Sequence, residues 1–268
     1  VFGFYFNQLD NRYFTSDVHN SRNFYGVLAV KDQIKNDNPV RVLFDGATHH
    51  GSQSLINEHK NSPTSYYRIE SGVALALNNL DKTKSNKVGI VGLGTGTLAS
   101  YAQSQDYYVF YELNPDVAAV AKQYFSYLSD SKAKTDIRLG DARVTMQNEL
   151  KSTGSQQYDA LVIDAFSSDA IPVHLLTLEA FELYIKHLKK DGLLALHISN
   201  NHLDLLPLIN ALAVKLKMPF NHFITASNSS EEQTTQWVVL THNKSFINND
   251  MVKIKATYLN LKPEDTQI

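Results

Sequence analysis

The 268-residue sequence has no cysteine. Disulfides and thiolate metal sites are therefore excluded, and any zinc would have to be held through histidine. The redox compartment stays open, because a cysteine-free chain is stable in either environment. An excess of one charge is also missing: 25 Lys and Arg face 27 Asp and Glu, with the basic residues scattered along the chain. Without a positive stripe there is no field to gather phosphate backbones, which argues against nucleic acid as a partner. No apolar run reaches the roughly 20 residues that span a bilayer. The chain opens at Val1 without Met, signal peptide or charged leader. It reads as cut from a longer protein, with the apolar residues 1–6 as the end of a segment outside this sequence.

What remains is an ordinary globular composition, 43% hydrophobic and 19% charged, long enough for a sizeable core. Two regions are expected: a small β-domain over residues 1–62 and a larger domain over 63–268. In the first, β-branched and aromatic runs at 23–30 and 40–44 flank a polar turn at 31–39, the pattern of an antiparallel sheet. Residues 64–80 switch to helical spacing, with Ile69, Val73, Ala76, Leu77 and Leu80 on one face and Thr64 or Ser65 as the start. Beyond Lys87, strands at 88–91, 107–111, 136–139, 160–163 and 193–198 alternate with helices at 98–103, 115–128, 143–150 and 178–188. That alternation predicts a parallel, doubly wound α/β sheet. Residues 220–225 and 237–241 predict an antiparallel hairpin closing it, which makes the fold Rossmann-like in the class I methyltransferase manner.

The first chemical motif is Val88-Gly89-Ile90-Val91-Gly92-Leu93-Gly94-Thr95-Gly96-Thr97. Glycines at a strand-to-helix turn let ligand atoms approach the backbone, and ligand approach is the simplest reason for Gly92, Gly94 and Gly96 together. Glu112, twenty residues after Gly92, ends the next strand, where a carboxylate can accept hydrogen bonds from both ribose hydroxyls. A dinucleotide fingerprint would place its third glycine at Thr97. Here it stands one residue earlier, and acidic residues crowd the same sheet edge, which suits a sulfonium better than a diphosphate. Gly140-Asp141-Ala142 follows the third strand, where Asp141 could accept from an adenine amino group.

The second motif, from Tyr158 to Pro172, puts Asp164 and Asp169 in one loop at the carboxyl end of a central strand. A carboxylate there can take the proton of an attacking amine, and Asp164 is the better candidate, with Asp169 as a binding group. Both could instead cap the following helix or hold a turn. Of His49 and His50, one can serve a substrate pocket, His50 by preference, or both can simply pack; no third ligand spacing points to a metal. Asn200-Asn201-His202 reads as a helix start or a pocket edge.

Taken together, the glycine loop, Glu112, Gly140-Asp141-Ala142, Tyr158-Asp159 through Asp164, and Leu43-Phe44-Asp45-Gly46 resemble the spermidine synthase (polyamine aminopropyltransferase) family. The likeness is nearest to bacterial spermidine synthase-like domains joined to membrane segments, through His50-Gly51-Ser52-Gln53, Pro63-Thr64-Ser65-Tyr66-Tyr67 and the acidic loop. The resemblance implies transfer of a propylamine group from decarboxylated S-adenosylmethionine to an amine such as putrescine, releasing methylthioadenosine. It implies Glu112 on the ribose, Asp141 and Ala142 at the adenine and Gln53 on the nucleoside. Asp164 would act on the amine with help from Tyr66, and Tyr67 and His50 would line the acceptor pocket. Tyr66 could equally pack on the core. The family's glycine loop usually carries an aspartate for the donor's ammonium where this chain has Thr95, so intact S-adenosylmethionine competes as the donor. The acidic loop is also longer, with five steps between its aspartates where the family has three. A methyltransferase, an enzyme cleaving S-adenosylmethionine and a non-catalytic nucleoside or polyamine sensor are the alternatives. The resemblance further implies a homodimer that is cytoplasmic or forms the soluble domain of a membrane-anchored protein.

Overall fold

The structure, a computed structural model, describes residues 17–46, 48–165, 172–200, 203–226 and 234–257. Asn36 and Asp37 set the N-terminal architecture: both take positive φ (48° and 62°), as a two-residue hairpin turn requires. They join β2 (Gly26–Lys35) to β3 (Asn38–Asp45), and β1 (Asp17–Asn23) and β4 (Thr48–Ser54) complete an antiparallel sheet in the order β1-β2-β3-β4. The polar turn expected over 31–39 is thus two residues long. Its remaining polar residues sit in paired strands, where Asp32 meets Arg41 across the ladder at 2.7 Å. Strand β4, Thr-His-His-Gly-Ser-Gln-Ser, lacks the β-branched alternation that would have announced it.

The helix expected over 64–80 divides. A 3-10 turn at Ser65–Tyr67 is followed by α1 (Gly72–Asn78), whose start is fixed by the Ser71 hydroxyl accepting from Ala74 N–H. Val73, Ala76 and Leu77 are buried as the spacing predicts, whereas Ile69 lies before the helix and is 65% exposed. A Cβ on Gly72 would lie 2.6 Å from Trp237, so glycine lets α1 sit directly on the C-terminal hairpin.

The second sheet runs β12-β10-β11-β9-β8-β5-β6-β7. Strands β5 (Lys87–Val91), β6 (Tyr107–Glu112), β7 (Lys134–Leu139), β8 (Tyr158–Ile163) and β9 (Leu188–His197) are parallel. Strand β11 (Thr235–Leu240) runs antiparallel to β9, and β10 (Phe220–Thr225) antiparallel to β11 and to the short β12 (Ala256–Thr257). This is the doubly wound sheet with a terminal hairpin that the alternation predicted. Helices α2 (Pro115–Tyr124), α3 (Ala142–Ser152) and α4 (Leu178–His187) fall where expected, although α2 stops early because Phe125 turns extended. The helix expected at 98–103 is only a 3-10 turn, Thr97–Tyr101. Helix α5 (Leu206–Leu216) begins a few residues beyond the helix start read at Asn200-Asn201-His202, and its extent went unmarked because Leu-Pro-Leu-Ile-Asn-Ala-Leu-Ala-Val-Lys-Leu has almost no polar face to mark a period.

Apolar side chains cover both faces of this sheet. Phe181, Tyr184, Ile209 and Leu212 pack on one side, and Val73, Leu77, Leu98 and Ala121 on the other. Each fully buried large side chain contributes roughly 1.5–3 kcal/mol. Leu28, Val30 and Leu43 of the N-terminal sheet pack on Val120 and Phe125, which holds that sheet as a roof beside the carboxyl ends of β5 and β6. Among the described residues no helix is long and apolar enough to cross a membrane.

Candidate active site

Strand β5, fully buried over its last four residues, ends at Val91, and the chain then turns through Gly92, Gly94 and Gly96 with φ of 95°, 53° and 83°. Side chains rarely adopt these angles. Protein atoms, however, do the crowding. A Cβ would lie 2.3 Å from the Asp164 carbonyl oxygen at Gly92, 2.7 Å from the His50 carbonyl oxygen at Gly94 and 3.0 Å from Leu128 at Gly96. The expectation that ligand approach explains all three glycines is therefore corrected: neighbouring strands and the roof press on the loop. Gly92 and Gly94 line a cleft, while Thr95 and Gly96 are not among its walls. Thr95 is 1% exposed, its hydroxyl lies 2.8 Å from that of Thr97, and its side chain fills the space left by Gly51.

Glu112 ends β6 on the cleft wall. Its carboxylate accepts from Leu93 N–H at 3.0 Å and Asn114 N–H at 2.8 Å, so it braces the glycine loop. Burial pushes its pKa up to about 6 against the pull of those backbone donors, with Asp45 nearby adding to the rise. Asp141 caps α3 by accepting from Val144 N–H at 2.9 Å, and its other oxygen lies 2.8 Å from His174 Nε2. His174 was not singled out from the sequence. It sits beyond the acidic loop, a stretch without periodicity.

Asp164 follows β8 with its side chain nearly buried. One oxygen accepts from the Tyr67 hydroxyl and the other lies 2.7 Å from His197 Nδ1. Tyr66 stacks on His197 at 4.7 Å, and His197 stacks on Trp237 at 4.6 Å. Burial, then the Asp164 charge, pushes both tyrosine hydroxyls well above their ordinary range, so they remain protonated donors. His197 lay inside a predicted strand; its one signal was a histidine amid Leu-Leu-Ala-Leu.

From the roof, Asp45 and His50 reach the same cleft, 3.9 Å apart. His49 packs against Phe44 instead, and burial lowers its pKa to about 4. Gln53 does not reach the cleft. Its amide donates to Lys60 C=O and the Ser126 hydroxyl, both at 2.9 Å, and accepts from Ser126 N–H at 3.0 Å. The nucleoside contact expected of it gives way to a lock between β4 and the chain after α2. Gln53→Ala is accordingly expected to cost about 2 kcal/mol in urea unfolding, through orphaned buried partners. The same change should leave nucleoside affinity within about twofold. Asp169, Asn201 and His202 lie outside the described residues.

The cleft, with the open solvent at its mouth, encloses about 930 Å³ of space. It gathers His50, Tyr66, Tyr67, Gly92, Gly94, Glu112, Asp141, Ala142 and Asp164, with Tyr25, Asp45, Leu113 and His174 added. It lies at the carboxyl ends of the parallel strands, where α/β sheets bind ligands. Among the described residues no three His, Asp or Glu side chains gather in a metal-binding group.

No protein-family model matches the chain. A stretch of 101 residues, 36% of this chain, is 36% identical to 32% of a polyamine aminopropyltransferase of Vibrio vulnificus. Another of 113 residues, 42% of this chain, is 32% identical to 20% of an N-terminal histidine N-methyltransferase of Emericella nidulans. The chain thus spans about a third or less of the length of these curated relatives. The fold matches that of a probable spermidine synthase from Corynebacterium glutamicum with a TM-score of 0.65 and 16% identity, covering 85% of this chain and 80% of the other.

Proposed function

We propose that this chain is a member of the spermidine synthase (polyamine aminopropyltransferase) family and transfers a propylamine group from decarboxylated S-adenosylmethionine to an amine such as putrescine, a reading supported by the stretch it shares with a polyamine aminopropyltransferase. The observation that carries this reading is the charge of the cleft. Asp45, Glu112, Asp141 and Asp164 line it, with no Lys or Arg among the described lining residues. A sulfonium bearing a free ammonium tail suits such walls, whereas the carboxylate of intact S-adenosylmethionine would be repelled. Asp45 in the roof offsets the carboxylate that Thr95 does not supply.

In this reading Glu112 accepts from the ribose hydroxyls beside the glycine loop, and Asp141 with Ala142 holds the adenine end. Tyr66, Tyr67 and His50 flank the acceptor. The acceptor nitrogen attacks the methylene carbon next to sulfur, and the carbon-sulfur bond breaks with its electron pair going to sulfur. The nitrogen's proton goes to Asp164. Sulfonium is already a good leaving group, so most of the acceleration comes from holding nitrogen, carbon and sulfur in line. The chain over 63–268 acts as the catalytic domain, with the strands between Asp17 and Ser54 of the N-terminal domain (1–62) as its roof, working as a homodimer.

Incubation with each donor separately and putrescine, followed by mass spectrometry, tests the proposal. Methylthioadenosine and a new polyamine are expected from the decarboxylated donor. S-adenosylhomocysteine from the intact donor would replace this reading with methyl transfer, which the stretch shared with the histidine methyltransferase favours.

Glu112 gives the site a pH dependence. Ribose hydroxyls donate to the ionised carboxylate, and its pKa near 6 means that protons compete with the ligand below that pH. The dissociation constant of methylthioadenosine should rise by about tenfold per pH unit there, as calorimetry between pH 5 and 8 can check. Stability of the unliganded protein carries the opposite sign. A carboxyl raised by folding contributes stability below its ordinary pKa, and this contribution fades as pH climbs through about 6.

A further inference from the structure

Behind Asp164, on the side away from the glycine loop, runs a line of polar atoms with no part in the reaction written above. Gln236 N–H donates to the Ser199 hydroxyl at 2.7 Å, Ser199 Oγ lies 2.8 Å from His197 Nε2, and His197 Nδ1 lies 2.7 Å from Asp164 Oδ1. The protons on this line can be assigned by elimination. An ionised carboxylate only accepts, so His197 must carry its proton on Nδ1 and donate it to Asp164. Nε2 of the neutral ring is then an acceptor, and Ser199 fills it with the hydroxyl proton. That leaves a Ser199 lone pair for Gln236 N–H, and each of these three contacts has one donor and one acceptor. The ring is also clamped in plane, with Trp237 at an interplanar angle of 11° and Tyr66 at 26°.

We infer that His197 is a positioning residue for Asp164: its Nδ1–H fixes one carboxylate oxygen so that the remaining lone pairs face the amine in the cleft. This inference rests on Asp164 acting as the amine-proton acceptor. Among the described residues, Asp164 on β8 and Tyr66 on the 3-10 turn are titratable groups in contact with the ring, with the Tyr67 hydroxyl on the far oxygen of Asp164; Trp237 on β11 closes the other face. His197 donates to the charged form of Asp164 and therefore favours it.

His197→Phe keeps a ring between Tyr66 and Trp237 but removes the donor, and His197→Asn returns an N–H where Nδ1 stood. The expected result for the Phe variant is kcat lower by about 30-fold, KM for the donor within about threefold, and an acid limb of the kcat profile moved up by about one pH unit. The Asn variant should recover most of the rate and the original limb. Long-range proton-nitrogen correlation on the wild-type protein should show the Nδ1–H tautomer. An Nε2–H tautomer, or a folded Phe variant with unchanged kcat and limb, overturns the inference. The Nδ1–H tautomer in a wild type that turns over no amine overturns the aminopropyl reading while leaving the donor role of His197 upheld.

Discussion

Asp164→Asn is expected to lower turnover about 1,000-fold at pH 7 while shifting the affinity for methylthioadenosine by less than about threefold. The separation follows from where the contacts lie. In the proposed reading the nucleoside is held by Glu112 and the loop it braces, whereas Asp164 faces the amine from the end of the neighbouring β8. An amide cannot take a proton from the attacking nitrogen, so the step that commits the reaction loses its acceptor. The carboxylate also receives Tyr67 and His197, one on each oxygen. Asparagine offers a carbonyl to only one of them, and the other must reorient or go unpaired, at a cost of about 1–3 kcal/mol in stability. Activity is to be compared per folded molecule, with methylthioadenosine release as the assay. A variant retaining more than a tenth of the wild-type rate would remove Asp164 from the role of base.

The second large effect concerns stability. Gly92→Ala should destabilise the protein by about 3–5 kcal/mol, read from the denaturant midpoint. The new Cβ would sit 2.3 Å from the Asp164 carbonyl oxygen at a φ of 95°. Neither partner can step aside: Asp164 N–H is bound to Val91 C=O and Gly92 N–H to Tyr111 C=O, each at 2.9 Å. Gly154 supplies the comparison, since its φ is 82° and nothing lies within 4 Å of a Cβ added there. Gly154→Ala carries only the conformational cost, about 1 kcal/mol. Equal losses at the two positions would mean that the contact with Asp164 contributes nothing.

The parallel sheet was legible because runs such as Leu-Val-Ile before Asp164 are long enough to be buried on both faces, and because the turn signals separate them cleanly. Glu112 and Asp164 were legible for a related reason: a carboxylate at the end of such a run stands at the ligand edge of the sheet. What the sequence could not convey was direction. Thr95 lies inside the glycine motif yet turns toward Gly51, and Gln53 turns toward Ser126. Asp45, 119 positions before Asp164, enters the cleft only because the roof folds over the loop. His197 read as core, since strand periodicity places a residue on a face without naming what comes to meet it. Strand β4 and the extent of helix α5 escaped for opposite reasons, the one too polar and the other too uniformly apolar.

The contact between Gly92 and the main chain of Asp164 has a consequence for redesign. The turn proposed to bind the nucleoside and the proposed proton acceptor share one van der Waals boundary, so they behave as a single machined part. Exchanging the turn for that of a related enzyme, to change which sulfonium is accepted, would also relocate the base. Donor preference in this scaffold is better altered from the roof, at Asp45, whose replacement leaves that boundary untouched.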